Sequence, residues 1–153
     1  MLPIRIHHND HVLVCDGSKA LLLQNNGETF ALDLEVVEVA VEPHPPSHEL
    51  GSERPGRVHE SVGVSRSSVR SLDRHEAAEA NFLKTVARRL DDVLRSRRMQ
   101  RLILVAPAKA LGELRACLSP EVKAVVAAEA SKDLARLSTA KIEEHLAALS
   151  RLS

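Results

Sequence analysis

Apolar residues in the first forty positions alternate with polar ones or run together in short blocks, whereas beyond residue 73 they return every three or four positions. The first pattern predicts strands and the second helices separated by strands. His11 to Asp16 (His-Val-Leu-Val-Cys-Asp) reads as a mostly buried strand and Ala20 to Gln24 as a second, with Asp16-Gly17 between them. Asp-Gly supplies the positive φ values of a tight hairpin, so the two strands are expected to be antiparallel neighbours. Asn25-Asn26-Gly27 is another turn signal. A third strand follows from Leu34 to Val41, where Glu35, Glu38 and Glu42 interrupt the valines irregularly and leave the two faces undefined.

A polar Pro/Gly-rich stretch then predicts a long loop at about 43–72, passing through Pro43-His44-Pro45-Pro46 and Arg54-Pro55-Gly56-Arg57. Loops of this length in compact domains are usually functional or disordered. Asp73 is the expected N-cap of a long helix, with Glu76 three residues on completing a variant capping box. The helix is predicted to reach about Arg98, with Phe82/Leu83, Val86, Leu90 and Val93/Leu94 as its apolar stripe. Arg101 to Ala106 has the unbroken apolar run of a central parallel strand. Pro107 suits the first turn of a second helix, in which Leu111, Leu114 and Leu118 share a side. Ser119-Pro120 reads as a cap and first position of one short helical turn. The fifth strand is expected within Val122 to Ala130, and Ser138 starts a last helix carrying Ile142, Leu146 and Leu149.

The order β-β-β-(loop)-α-β-α-β-α, with right-handed crossovers, predicts an α/β domain with a five-stranded mixed sheet covered by helices. That is the element order of an RNase H-like fold, spread over residues 1–153 as a single domain.

Composition narrows the function classes. The chain has 153 residues, enough to bury a core without staples. Its two cysteines, Cys15 and Cys117, have no metal-binding or redox spacing and read as free thiols in a reducing compartment. Without a secretory segment or an apolar run of membrane-spanning length, the expectation is a soluble cytoplasmic protein that does not enter a membrane. Twenty-one basic residues balance twenty-one acidic ones, which removes a global attraction to nucleic acid. The charges are segregated, however. Glu28 to Glu53 holds seven acids and no Lys or Arg, while Lys84 to Arg101 holds seven Lys/Arg against Asp91 and Asp92, a local balance of +5. Phe30 and Phe82 are the only aromatic residues, so base stacking is nearly unavailable as a mode of recognition.

Several motifs in this order carry a resemblance: the Asp16-Gly17 hairpin, Arg54-Pro55-Gly56-Arg57, Asp73-x-His75-Glu76-x-x-Glu79, Leu102-Ile103-Leu104-Val105-Ala106-Pro107 and Ser131-Lys132-Asp133-Leu134. Together they resemble the bacterial host attachment protein family, described as proteins required for attachment to host cells, over about residues 11 to 149. Val12-Leu13-Val14-Cys15-Asp16-Gly17-Ser18, the hairpin, the loop and the long basic helix also look, more distantly, like the middle domain of archaeal and eukaryotic peptide-chain release factors. Those factors carry Gly-Gly-Gln in the corresponding loop. Here the loop has Arg54-Pro55-Gly56-Arg57 and no glutamine, so peptide release by that chemistry is not expected. The resemblance implies instead a non-catalytic binding or adaptor protein, with ribosomal or transfer RNA or another protein as partner, linked only indirectly to attachment.

Candidate residues follow from both arguments. Arg54 and Arg57 around Pro55-Gly56 could bind phosphate bidentately, or pair with the acidic segment of their own domain. Asp73, His75 and Glu76 could form a recognition surface with them, although capping and the helix dipole account for the two acids without any chemistry. Lys132 and Asp133 follow the fifth strand at a carboxyl end, where α/β sheets tend to bind ligands; an ordinary connection explains them equally simply. No catalytic residue, metal site or cofactor is expected. The contrasting reading is a metal-dependent RNA or phosphoester hydrolase using Asp16, His75 and Glu76, since Asp16 sits where RNase H-type nucleases place their first carboxylate; a turn-forming role for Asp16 is the simpler alternative. His7, His8 and His11 are too alternately placed at a strand entrance to share one ion.

Overall fold

The computed structural model describes residues 4–42 and 61–151, with side chains in the second stretch described for 74–150. Five strands, β1 (His11–Cys15), β2 (Lys19–Asn25), β3 (Leu34–Val41), β4 (Leu102–Ala106) and β5 (Val126–Ser131), form one sheet in the order β3-β2-β1-β4-β5. β1 is antiparallel to β2, and β2 to β3, while β4 lies parallel to β1 and β5 parallel to β4. The helices are α1 (Ser61–Arg97), α2 (Ala108–Cys117), α3 (Pro120–Val125) and α4 (Thr139–Arg151).

Alternation along β1 and β4 sends successive side chains to two separate cores. Leu13, Cys15, Leu102 and Leu104 pack with Leu83, Val86, Leu90 and Leu114 under α1, α2 and α3. Val12, Val14, Ile103 and Val105 pack on the opposite face with Ile142 and Leu146 of α4. Both strands are buried along their whole length, as a central position in a doubly covered sheet requires. The irregular valine pattern of β3 has a local cause: Leu22 pairs with Glu38 and Leu23 with Val36, so Val37 is an extra residue that shifts the alternation. Ser119 caps α3, its hydroxyl accepting from Val122 N–H at 3.1 Å, and the Ser138 hydroxyl accepts from Lys141 N–H at 3.2 Å at the start of α4.

Two sequence expectations need correction. First, α1 begins at Ser61, so Asp73 lies within the helix instead of capping it, and 61–72 is helical where a loop was expected. The strongest breakers before the helix are Pro55 and Gly56. Beyond them Gly63 costs about 1 kcal/mol and the serines a few tenths each, which a helix of 37 residues absorbs. An Asp-x-x-Glu spacing marks a start only where something stops the helix from extending backward. Second, no glycine among the described residues has a positive φ, so the Asp16-Gly17 turn does not use the conformation expected of it. The carboxylate of Asp16 closes the turn instead. Its Oδ1 accepts from the N–H groups of Ser18 and Lys19, both at 2.8 Å, and from the Ser18 hydroxyl at 3.2 Å, while Asp16 N–H donates to Lys19 O at 2.9 Å.

Candidate functional site

The carboxyl ends of β1 and β4 open into a cleft of about 280 Å³, lined by the Asp16-Gly17-Ser18 turn, Glu79 and Leu83 of α1, Pro107, and Lys109, Ala110 and Glu113 of α2, with Arg136 from the connection after β5. Each element brings its residue here for a local reason. The hairpin turn ends β1, Pro107 ends β4 at the N-cap of α2, and Lys109 follows in the first turn of that helix. Glu79 lies over the hairpin so closely that a Cβ on Gly17 would come within 2.7 Å of its carboxylate. Glycine is the residue that leaves this space open.

Charge is largely satisfied inside the cleft. Lys109 Nζ lies 3.7 Å from Glu76 Oε1 and 3.8 Å from Glu79 Oε1. Arg136 reaches Asp16 Oδ2 at 3.5 Å and donates to the Ser18 hydroxyl at 2.8 Å. Both oxygens of Asp16 are therefore engaged, one by three turn donors and the other by a guanidinium. A phosphate entering the cleft would have to displace carboxylates from both cations.

The expected site residues are thus distributed. Asp16 lines the cleft, and Glu76 meets it only through Lys109. His75 is half-buried on α1 outside the lining, so Asp16, His75 and Glu76 do not converge; the acid facing Asp16 is Glu79. Lys132 and Asp133 are exposed just beyond β5, with Lys132 N–H donating to Ala106 O at 3.1 Å; they share the carboxyl edge without lining the cleft. Asp73 is described in backbone only, and Arg54, Pro55, Gly56 and Arg57 lie outside the described residues. Lys109 and Arg136 were not singled out from the sequence. Their positions just past the carboxyl ends of β4 and β5 are the signal that could have found them.

A family model described as "Protein required for attachment to host cells" matches residues 11–146, from the first residue of β1 into α4. The chain belongs to this host attachment family. The match includes every residue lining the cleft. Membership points to a role in attachment to host cells. Comparison with the curated proteins gave no match.

In this family member the outer surface of α1 contrasts with the satisfied cleft. Lys84, Arg88 and Arg95, at helical spacing on one face, are exposed, and Arg95 pairs with Asp92 at 3.2 Å. Lys84 and Arg88 border a groove of about 280 Å³ against Ala116 and Cys117 of α2. Among the described residues no carboxylate lies within ion-pair range of Lys84 or Arg88, whereas Arg89, one residue on, is clamped by both oxygens of Glu38 on β3 at 2.7 and 2.8 Å. Asp91, which also borders the groove, accepts a hydrogen bond from the Ser119 hydroxyl. The acidic third strand thus neutralises one side of α1 and leaves the other positive.

Both cysteines are free. Burial pushes the Cys15 thiol up to about 12, which keeps it protonated and unreactive at neutral pH. No described helix is long and apolar enough to cross a membrane.

The three amino-terminal histidines diverge. His7 Nδ1 lies 3.1 Å from the Thr29 hydroxyl and His8 Nδ1 2.8 Å from Gly27 O, while His11 turns into the sheet. Burial, and then the positive charge of Arg97, hold His11 below the ordinary histidine range, partly offset by Asp10. A histidine kept neutral on folding favours the folded state above the unfolded-state value near 6.5 and loses that contribution as pH falls below it. The expected result is an unfolding free energy that declines on acidification from neutral pH, with His11→Gln reducing the decline. Urea unfolding at a series of pH values measures this, and equal slopes in the two proteins would contradict it.

Proposed function

We propose that this protein is a non-catalytic cytoplasmic binding protein that contacts the phosphate backbone of ribosomal or transfer RNA through α1, on an RNase H-like domain related to the middle domain of release factors. Its part in attachment to host cells is then indirect. The observation that carries the reading is the pair of exposed cations Lys84 and Arg88, free of carboxylate partners among the described residues and bordering an open groove. Phosphate is the polyanion such a stripe fits, because contacts to it need charge and spacing but no aromatic platform. The carboxyl-end cleft is the less suitable phosphate site, since Lys109 and Arg136 are already occupied by carboxylates. Arg54, Pro55, Gly56 and Arg57, with Asp73, His75 and Glu76, are the further recognition residues we assign from the sequence alone, and Lys132 and Asp133 lie exposed just beyond β5.

Binding of transfer RNA or ribosomes should weaken with salt, with a log–log slope of roughly −1.4 for two phosphate contacts at about −0.7 each. The double substitution Lys84→Glu/Arg88→Glu is expected to lower affinity by roughly tenfold or more and to flatten the slope by about 1.4. Filter binding and ribosome co-sedimentation at several salt concentrations measure both. Unchanged affinity in the double variant, or no association of the parent at low salt, would overturn the reading.

A further inference from the structure

The end of the sheet opposite the cleft, where the central strand β1 begins, carries a second polar hollow. His11 is 2% exposed, yet neither ring nitrogen has a hydrogen-bond partner. An unsatisfied buried donor or acceptor is costly and rare, and here both nitrogens of one ring are orphaned and closed to solvent, so a ligand in the hollow would engage the ring through a turn of the side chain. The ring sits at the first residue of β1, on the same face as Leu13 and Cys15, beneath the end of α1. It lines a hollow of about 290 Å³ with Gln24, its cross-strand partner, and with Arg97, Arg98 and Gln100 at the helix end.

The charge around the hollow is positive. Arg97 and Arg98 are exposed, and among the described residues no carboxylate pairs with either. The nearest acid, Asp10, is already held by Arg101 Nε at 3.0 Å and by His7 N–H at 2.8 Å. Arg98 has a φ of 52°, a left-handed conformation that non-glycine residues seldom adopt, and it turns the chain at the helix end. Two full positive charges outweigh the roughly half negative charge of the helix terminus. Glutamine side chains and a neutral imidazole supply donors that need no counter-ion.

We propose that this hollow binds a phosphate group, with Arg97 and Arg98 as its charge partners and the His11 ring turning toward it to donate a hydrogen bond. The site is independent of the RNA contact on the Lys84–Arg88 face. Bound phosphate would also counter the two effects that keep His11 neutral, since it supplies a hydrogen-bond acceptor at the buried ring and offsets Arg97. The charged groups around that ring are Arg97 and Arg98, which line the hollow, and Asp10, itself paired with Arg101, and binding adds negative charge to this set.

NMR titration of the full chain with inorganic phosphate, following the His11 ring signals assigned through His11→Gln, tests the proposal. A saturable shift and a rise in the His11 titration midpoint are expected, with Arg97→Ala and Arg98→Ala each weakening binding by roughly tenfold. Both arginines are exposed, so these variants keep the fold. A parallel titration with a 5′-phosphorylated mononucleotide identifies the source of the group: tighter binding than inorganic phosphate points to a nucleotide, equal binding to free phosphate, and either upholds the site. No saturable shift with either probe, or equal shifts in the arginine variants, would overturn it and leave the hollow to water.

Discussion

Replacing Asn25 with alanine is expected to lower the unfolding free energy by roughly 3 kcal/mol or more, a large part of the 5–15 kcal/mol typical of a domain. Asn25 is fully buried at the end of β2 and gathers the amino-terminal edge of the sheet around its amide. Its Nδ2 donates toward Ile6 O, His7 O and Glu28 O at 3.3, 3.2 and 3.4 Å, and its Oδ1 accepts from Gly27 N–H and Asp33 N–H, both at 3.0 Å. Alanine would orphan these backbone groups without room for water to reach them all. Asn25→Asp is expected to be worse, because it turns a carboxylate oxygen toward three carbonyls in a site with little solvent. Chemical denaturation of both variants measures the effect; a loss below about 1 kcal/mol in each would mean the loop from Asn26 to Asp33 is held by other contacts. Because Asn25 O also accepts from Asn9 N–H at 2.7 Å, the same variants should disturb the His11 hollow next to it.

Leu104→Ala should cost about 2–5 kcal/mol, the range for emptying a core position whose surroundings relax only partly. Leu104 is completely buried in the middle of β4, between β1 and β5, and packs in the core under α1. Ile103→Val, on the opposite face, removes one methyl group and should cost only about 0.5–1.5 kcal/mol. Val41→Thr, on an exposed position of the edge strand β3, should stay within about 0.5 kcal/mol. Thermal or urea unfolding of the three variants checks this ranking. A Leu104→Ala protein as stable as Val41→Thr would show that β4 is not the seam between the two cores. Loss of β4 packing also bears on the carboxyl-end cleft, since Pro107 and Lys109 are positioned by where that strand ends.

The first four strands, the Ser119 and Ser138 caps, and the apolar faces of the helices were determined by the sequence itself, because each depends on periodicity or capping chemistry among neighbouring residues. The fifth strand, expected within Val122 to Ala130, starts only at Val126 after the helical Val122–Val125 and runs to Ser131. The start of α1 was not legible in that way, because the only breaker between Ser61 and Asp73 is the isolated Gly63, which a long helix tolerates, and a helix that can extend backward does so. Nor was the geometry of the Asp16-Gly17 turn, where one carboxylate replaced the glycine conformation that the dipeptide suggested. The bulge at Val37 was visible only as a broken pattern until the register of β2 and β3 gave it a cause.

The candidate sites belong almost wholly to the tertiary structure. Ser18 and Arg136 meet across 118 positions of sequence, and Asp10 and Arg101 across 91, because strand order brings the ends of β1, β4 and β5 together. Which cations are paired and which are left open follows from that same arrangement: Glu38 takes Arg89 and leaves Arg88, Asp10 takes Arg101 and leaves Arg97 and Arg98 over His11. Residue types and local spacing fix what each segment can become. Only the packing of distant segments decides which charges and polar atoms are satisfied and which are left to meet a partner, because Coulombic and hydrogen-bond partners are set by distance in space.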